Sequence, residues 1–282
     1  MGIEAHKDFL ENINVTLFAS YSSLGLFLGL ASILASMKFL IFSSLFFLQT
    51  LAWSAELTVS AAASLTQVFQ EIGAQFEGQN PGTKIKFNFG ASGALMQQIA
   101  HGAPVDVFAS ADTDTMNKAV AKGVVAAVDV KVFTTNKLVL IVPIQSKANL
   151  LQLADLKKPH IKRITMGTPA SVPAGHYAQR SLEKAGLWTE LKGKVINTTN
   201  VRQALDYVSR DEVDAGFVYA SDAQLMQDKV KVAFQVATPT PIQYPIAKVS
   251  SGPQADAANK FIAFVLSSSA QSLLKKYGFG GQ

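Results

Sequence analysis

The feature that most constrains the fold is a regular alternation of strand-like and helix-like segments from residue 56 to residue 279. Apolar residues at every second position indicate a half-buried strand, as at Ile85, Phe87 and Phe89, whereas apolar residues three and four apart indicate an amphipathic helix. On these patterns we predict strands at 57–61, 85–89, 105–109, 137–143, 164–166, 194–197, 215–219, 230–236 and 246–249. Helices are predicted between residues 93 and 100 and at 65–77, 114–121, 174–185, 201–209, 255–266 and 270–277.

This alternation predicts an α/β protein, because strands that alternate with helices form layered, largely parallel sheets. The alternating part is too long for one comfortable sheet of this kind, and it has too few repeats for an eightfold barrel. Two α/β lobes are therefore the favoured architecture.

The N-terminal part has the composition of an export signal preceded by an extension. Residues 37–54 contain Lys38, an apolar stretch and small residues, so we expect the signal proper here, with cleavage after Ser54 or Ala55. Residues 1–36 carry a net negative charge, which is the wrong sign for the start of a signal, and we expect translation to begin at Met37. Alternatively, the uncharged segment 12–36 tethers the protein to the inner membrane. Both interpretations place residues 56–282 outside that membrane.

Composition and motifs exclude several classes of function. The chain has no cysteine, which excludes disulfides, thiolate zinc sites, iron–sulfur clusters and cysteine catalysis. Its net charge is only +5 and its basic residues are scattered, so we expect no nucleic-acid partner. The sequence lacks serine-hydrolase elbows and phosphate-binding lysine loops, and its histidines have no metal-ligand spacing. We therefore expect no enzyme activity, no cofactor and no metal cation bound directly by side chains.

Small, hydrogen-bonding residues stand at the starts of several predicted helices, directly after strands. We expect Ser64 to cap its helix in a box with Gln67, and Ser92 to act in the same way. Pro173 and Asn200 are suited to the first turns of two further helices. Such turns lie at the carboxyl ends of strands, and helix N-termini that converge there offer free N–H groups to an anion. Each serine alone is explained as well by capping, so the residues by themselves indicate a small anion in a cleft and no more.

The same segments, taken in order, resemble the periplasmic molybdate-binding proteins of ABC transporters. They are AAASLT at 61–66, FGASG at 89–93, GAPVDVFASAD at 102–112, VPAG at 172–175, NVR at 200–202, VYASD at 218–222 and KYGF at 276–279. The resemblance implies a type II, two-lobed periplasmic-binding-protein fold in which the chain crosses twice between lobes, near 134–138 and 239–245. Lobe one would comprise 55–135 with 242–282, and lobe two 136–241.

The resemblance also implies a ligand and its contacts. Ser64 and Ser92 of lobe one would hold the oxyanion through hydroxyl and N–H groups, and lobe two would add the N–H groups of Ala174 and Val201 and the Tyr219 hydroxyl. The ligand would be molybdate or tungstate. The protein would be a periplasmic monomer that delivers it to an inner-membrane permease with a cytoplasmic ATPase.

Other functions stay open at this point. A receptor for sulfate or another oxyanion differs from this one mainly in cavity size, and a ferric receptor would need tyrosines and carboxylates clustered in the cleft. A serine hydrolase that uses Ser64 lacks an identifiable base, and a surface module tethered by 12–36 is a further alternative. We expect Asp112 to cap the next helix, and Arg202 to attract anions, to face solvent or to bridge the lobes.

Overall fold

A computed structural model of the protein describes residues 55–280. The predicted extension and signal at 1–54 lie outside the described residues. The strands are β1 Ala55–Ala62, β2 Thr83–Gly90, β3 Val107–Ala109, β4 Lys131–Asn136, β5 Leu138–Pro143, β6 Ile164–Gly167, β7 Val195–Thr198, β8 Ala215–Tyr219, β9 Val230–Gln235 and β10 Ile242–Lys248. They form two five-stranded sheets, of order β2-β1-β3-β10-β4 and β7-β6-β8-β5-β9. The predicted two-lobed α/β architecture is confirmed.

Helices accompany both sheets. They are α1 Thr66–Gln79, α2 Ser92–Ala100, α3 Thr113–Ala121, α4 Pro173–Lys184, α5 Trp188–Leu191, α6 Val201–Ser209, α7 Ala220–Leu225, α8 Ala255–Val265 and α9 Ser268–Lys276. We call the first sheet with α1, α2, α3, α8 and α9 the first lobe, and the second sheet with α4 to α7 the second lobe. Within residues 55–280, no helix is long and apolar enough to cross a membrane.

The expectation of largely parallel sheets is wrong, because both sheets are mixed. β1 is parallel to β2 and β3, and β6 is parallel to β7 and β8. β10 is antiparallel to β3 and β4, and β5 is antiparallel to β8 and β9. Each antiparallel strand lies next to a point where the chain changes lobe, so it enters its sheet without the helical crossover that makes neighbouring strands parallel.

Two edges of the predicted pattern also differ. β4 was not predicted, and β10 begins four residues before the predicted strand at Ile246. Pro245 explains the second difference, since proline cannot donate to a ladder, and the register with β4 shifts between Tyr244 and Pro245.

The two crossings between the lobes run side by side. Lys137 alone separates β4 from β5, while residues 236–241 connect β9 to β10. Ile242 pairs with Asn136 at the end of the first sheet, and the N–H of Val236 donates to the carbonyl of Leu138 at the start of the second, over 2.9 Å. The lobes are therefore joined along one narrow seam.

A cluster of aromatic rings holds the first lobe together. The fully buried Phe69 of α1 packs against Phe87, Phe133 and Phe261, with ring centroids 6.3, 5.7 and 6.1 Å away. This packing joins β2, β4 and α8 to the first turns of α1. It thereby fixes the turn at residues 63–65 that precedes α1.

Candidate functional site

A small cavity lies between the lobes at the carboxyl ends of β1, β2, β6, β7 and β8. Its lining residues come from both lobes: Ala62, Ala63, Ser64, Gly90, Ala91, Ser92, Ala111, Val172, Pro173, Ala174, Asn200, Val201 and Tyr219. The cavity encloses about 200 Å³ of empty space. Pockets for drug-sized ligands measure roughly 300–1,000 Å³, so this one suits a small ion rather than a metabolite. All five residues predicted to bind the oxyanion lie in its wall.

Ser64 presents its hydroxyl to the cavity wall instead of capping a helix. The turn Ala63–Leu65 and helix α1 both lack a side-chain cap, so the predicted capping box with Gln67 is wrong. The Ser64 hydroxyl lies 3.0 Å from the hydroxyl of Tyr244, which in turn accepts a hydrogen bond of 3.3 Å from Asn136 Nδ2. With that donor supplied, the Tyr244 proton can point at Ser64, and the Ser64 proton is left for a ligand.

Ser92 has the same arrangement, and its predicted capping role is also wrong. It is the first residue of α2, whose N-cap is Ala91, and no side chain caps this helix. The buried Ser92 Oγ accepts a hydrogen bond of 3.0 Å from the N–H of Ala111. Because the oxygen is satisfied by the backbone, the hydroxyl proton remains available to the cavity.

The second lobe contributes the first turns of two helices. Pro173 is the first residue of α4, as predicted, and Ala174 follows it, so the Ala174 N–H has no carbonyl of its own helix to bond. At α6, the side chain of Asn200 accepts from the N–H groups of Arg202 and Gln203. This confirms Asn200 as the cap and leaves the N–H of Val201, at the first position of α6, facing the cavity wall.

Tyr219 completes the wall from the end of β8. Its hydroxyl donates a hydrogen bond of 3.3 Å to the carbonyl of Ala111 in the opposite lobe. Burial raises the pKa of Tyr219 well above the usual tyrosine range, and nearby Tyr244 adds to this effect. Burial likewise raises the pKa of Tyr244. Both phenols therefore keep their protons at neutral pH and act as neutral hydrogen-bonding groups.

One ion pair stands directly behind the cavity. Arg202 Nε lies 2.8 Å from Oδ1 of Asp222, in ion-pair contact but without the alignment of a hydrogen bond. Burial raises the pKa of Asp222, while Arg202 and the bond from the Tyr219 N–H lower it. Arg202 also donates from Nη2 to the carbonyl of Ser64, over 2.9 Å, which confirms the bridging alternative and rules out a solvent-facing role.

Further contacts between the lobes surround the mouth of the cavity. Asp112 caps α3 by accepting from Thr115, as predicted. Near it, His176 Nδ1 lies 3.7 Å from Asp114 Oδ2. On the other side, the N–H of Gly93 donates to the carbonyl of Ser171 over 3.0 Å, and a Cβ on Gly93 would come within 2.8 Å of that same oxygen. The absence of a side chain at Gly93 thus lets the two backbones meet.

Sequence reasoning missed three residues that organise this site. Tyr244 and Ala111 orient the serine hydroxyls, and Asp222 balances Arg202. The FASAD and VYASD segments drew attention to Ala111 and Asp222 without indicating their partners. Tyr244 lies 180 positions from Ser64, and no local pattern marks such a contact.

The wall is chemically one-sided. None of the cavity-lining residues in the described part of the chain is charged, and residues 55–280 contain no group of three or more His, Cys, Asp or Glu side chains placed to hold a metal ion. The inward-facing polar groups are serine and tyrosine hydroxyls and helix-start N–H groups. Such a wall donates hydrogen bonds to a small, electron-rich ligand.

Comparison with known proteins agrees with this geometry. Residues 57–280 match the family model described as bacterial extracellular solute-binding protein. The molybdate-binding protein ModA of Haemophilus influenzae is 35% identical over 238 residues, which cover 82% of this chain and 92% of that protein. Two solved structures share the fold. The periplasmic molybdate-binding protein of Azotobacter vinelandii superposes with a TM-score of 0.68 at 22% identity, covering 79% of this chain and 98% of that one. The sulfate-binding protein SubI of Mycobacterium tuberculosis gives 0.71 at 20%, covering 80% and 86%.

Proposed function

Because the chain belongs to the family of bacterial extracellular solute-binding proteins, we propose that it is the molybdate receptor of an ABC transporter and also accepts tungstate. The observation that supports this most strongly is the set of hydrogen-bond donors around one small cavity. Ser64, Ser92, Ala174, Val201 and Tyr219 are the proposed contacts, and they come from both lobes.

The donors match the chemistry of a fully deprotonated oxyanion. Molybdate and tungstate at neutral pH carry two negative charges and only accept hydrogen bonds. The oxygen of Ser92 is occupied by the Ala111 N–H, and that of Ser64 can be occupied by Tyr244, so both hydroxyls would donate into the cavity. The weak 3.3 Å bond from Tyr219 to Ala111 would be exchanged for one to the anion. Two helix N-termini add N–H donors and favourable dipoles.

The same wall disfavours the nearest competitors. Monohydrogen phosphate carries a proton that needs an acceptor, and a wall of donors leaves that proton unpaired. Sulfate has the right charge and shape but shorter bonds, so it would leave the donors of a cavity sized for molybdate partly unsatisfied. A ferric ion would need anionic ligands, and the cavity-lining residues include only one phenol and no carboxylate.

Binding of this kind needs no chemistry on the ligand. Ser64 would be the nucleophile of a hydrolase, but its hydroxyl is paired with Tyr244, whose raised pKa makes it unsuitable as a base. We therefore propose a binding protein without catalytic activity and without a cofactor. The lobes, at 55–135 with 242–282 and at 136–241, would close on the ion. The monomeric, periplasmic receptor would deliver it to a membrane permease driven by a cytoplasmic ATPase.

A panel of oxyanions tests the proposal directly. A ligand at a hundred times its Kd stabilises a protein by about 2.7 kcal/mol, which raises the Tm of a domain of this size by roughly 5–10 °C. We expect such a rise with molybdate and tungstate, and little change with sulfate, phosphate or ferric citrate, in thermal-shift assays followed by calorimetry. Equal responses to sulfate and molybdate would contradict the assigned specificity, and no response to any oxyanion would contradict the function.

The tyrosine donor gives a second test with a defined pH dependence. Tyr219→Phe removes one hydrogen bond to a charged ligand, so we expect roughly a 10-fold or greater loss of molybdate affinity. Because burial raises the pKa of Tyr219, the hydroxyl stays protonated in alkaline solution. Wild-type affinity should therefore stay flat from about pH 6 to about pH 9, where an ordinary tyrosine with a pKa of about 10 begins to ionise. A decline across this range would show that another titrating group controls binding.

A further inference from the structure

Arg202 occupies a position where a cation is unfavourable. It is the second residue of α6, where the helix dipole is positive and repels a guanidinium. Its side chain is only 18% exposed, so solvent does little to offset this repulsion. Some specific interaction must stabilise arginine here.

The contacts of Arg202 link the two walls of the cavity. In its own lobe, it pairs with the fully buried Asp222, whose other oxygen accepts the N–H of Tyr219 over 3.1 Å. Across the cleft, Nη2 donates to the carbonyl of Ser64. A continuous chain of polar contacts therefore runs from Tyr219 through Asp222 and Arg202 to Ser64. Two proposed anion donors on opposite lobes are its ends.

Arg202 is not itself in the cavity wall. Its neighbours Asn200 and Val201 line the cavity, whereas the guanidinium lies behind them. Its positive charge is balanced by Asp222, and its free fork is directed to a backbone carbonyl. These contacts argue against direct contact with an anion.

We infer that Arg202 is a positioning residue that clamps the Ser64 turn of the first lobe against the second lobe when the protein closes. This inference rests on the proposed function, since it concerns the same site. The bond to Ser64 requires both lobes to be together, so it stabilises the closed form alone and shifts the equilibrium towards it. Arginine suits this role better than lysine, because its planar fork can bond a carboxylate on one edge and a carbonyl on another.

The test compares molybdate binding and lobe closure in a small set of variants. Arg202→Gln should weaken binding by roughly 10- to 100-fold, the range for loss of a charged hydrogen bond, mainly through faster dissociation. Arg202→Gln also leaves Asp222 buried and unpaired, which endangers folding. The double variant Arg202→Gln/Asp222→Asn removes both charges, and Asn can still accept from Tyr219. We expect it to melt near the wild-type temperature and to remain weak in binding.

The readouts separate the possible outcomes. Arg180→Gln is the control, because Arg180 also pairs across the cleft, with Asp114 at 3.6 Å, but is well exposed. It should bind normally. Stopped-flow dissociation rates and small-angle scattering at saturating molybdate should show fast release and incomplete closure only in the Arg202 variants. Recovery of wild-type affinity in the double variant would overturn the clamp in favour of simple charge compensation. Normal binding by both Arg202 variants would overturn the inference alone, whereas no binding by the wild type would overturn the proposed function.

Discussion

Replacing both Ser64 and Ser92 with alanine is expected to weaken molybdate binding by roughly 10²- to 10⁴-fold. Each hydroxyl is expected to donate to a doubly charged ligand in a site shielded from water, and such bonds contribute about 1.5–3 kcal/mol each. The two serines belong to separate helix starts and share no partner, so their effects should add approximately. Isothermal titration calorimetry of the single and double variants measures this.

A matched control distinguishes ligand contact from general destabilisation. Ser60 and Ser181 are equally buried serines outside the cavity wall, and Ser181 donates to the carbonyl of Ala237 within its own lobe. The variant Ser60→Ala/Ser181→Ala should lose some thermal stability yet bind molybdate as the wild type does. If the two double variants lose affinity equally, the serines at 64 and 92 have no special role.

The largest effect on stability is expected for Phe69→Ala. Truncation of a fully buried phenylalanine costs about 3–5 kcal/mol, because contacts are lost and a cavity remains. Phe69 contacts three other rings, so its neighbours have little freedom to collapse into the space. For a domain of this size, the Tm should fall by roughly 6–20 °C. Differential scanning calorimetry of the ligand-free protein measures the change.

Phe89→Ala is the comparison variant. Phe89 lies on edge strand β2 and is only partly buried, stacked on Phe87 at 5.2 Å, so its loss should cost clearly less. Saturating molybdate should raise the Tm of Phe69→Ala, because the ligand stabilises whatever fraction is folded. A Tm within a few degrees of the wild type would show that the aromatic cluster does not hold the first lobe together.

The general fold could be predicted from periodicity, and its exceptions have physical causes. Alternation at Ile85, Phe87 and Phe89 correctly placed a half-buried strand, and the two-lobed architecture followed from the length of the alternating region. Strand direction could not be obtained in this way, because a strand that enters its sheet from the other lobe has the same local pattern as one that follows a helix. Pro245 concealed the first half of β10 for a similar reason, since local propensity opposes a pairing that the sheet imposes.

The candidate site could be predicted in its members but not in its wiring. The family resemblance noted in the short motifs is confirmed, and the five residues it selected all line one cavity. Capping rules assigned Ser64 and Ser92 to their own helices, and they failed because Tyr244 and Ala111 hold these hydroxyls instead. Such partners are distant in sequence, so only the folded chain identifies them.

The narrow seam where the chain passes twice from one sheet to the other leaves the molecule a single degree of freedom. With Lys137 and residues 236–241 adjacent, one half can swing about this axis but can hardly slide or twist against the other. The contacts of Arg202 with Ser64, of Gly93 with Ser171 and of Tyr219 with Ala111 must then engage and disengage in concert. A cargo held from both sides cannot be half released, so a docking transporter would meet only a loaded, shut receptor or an empty, open one.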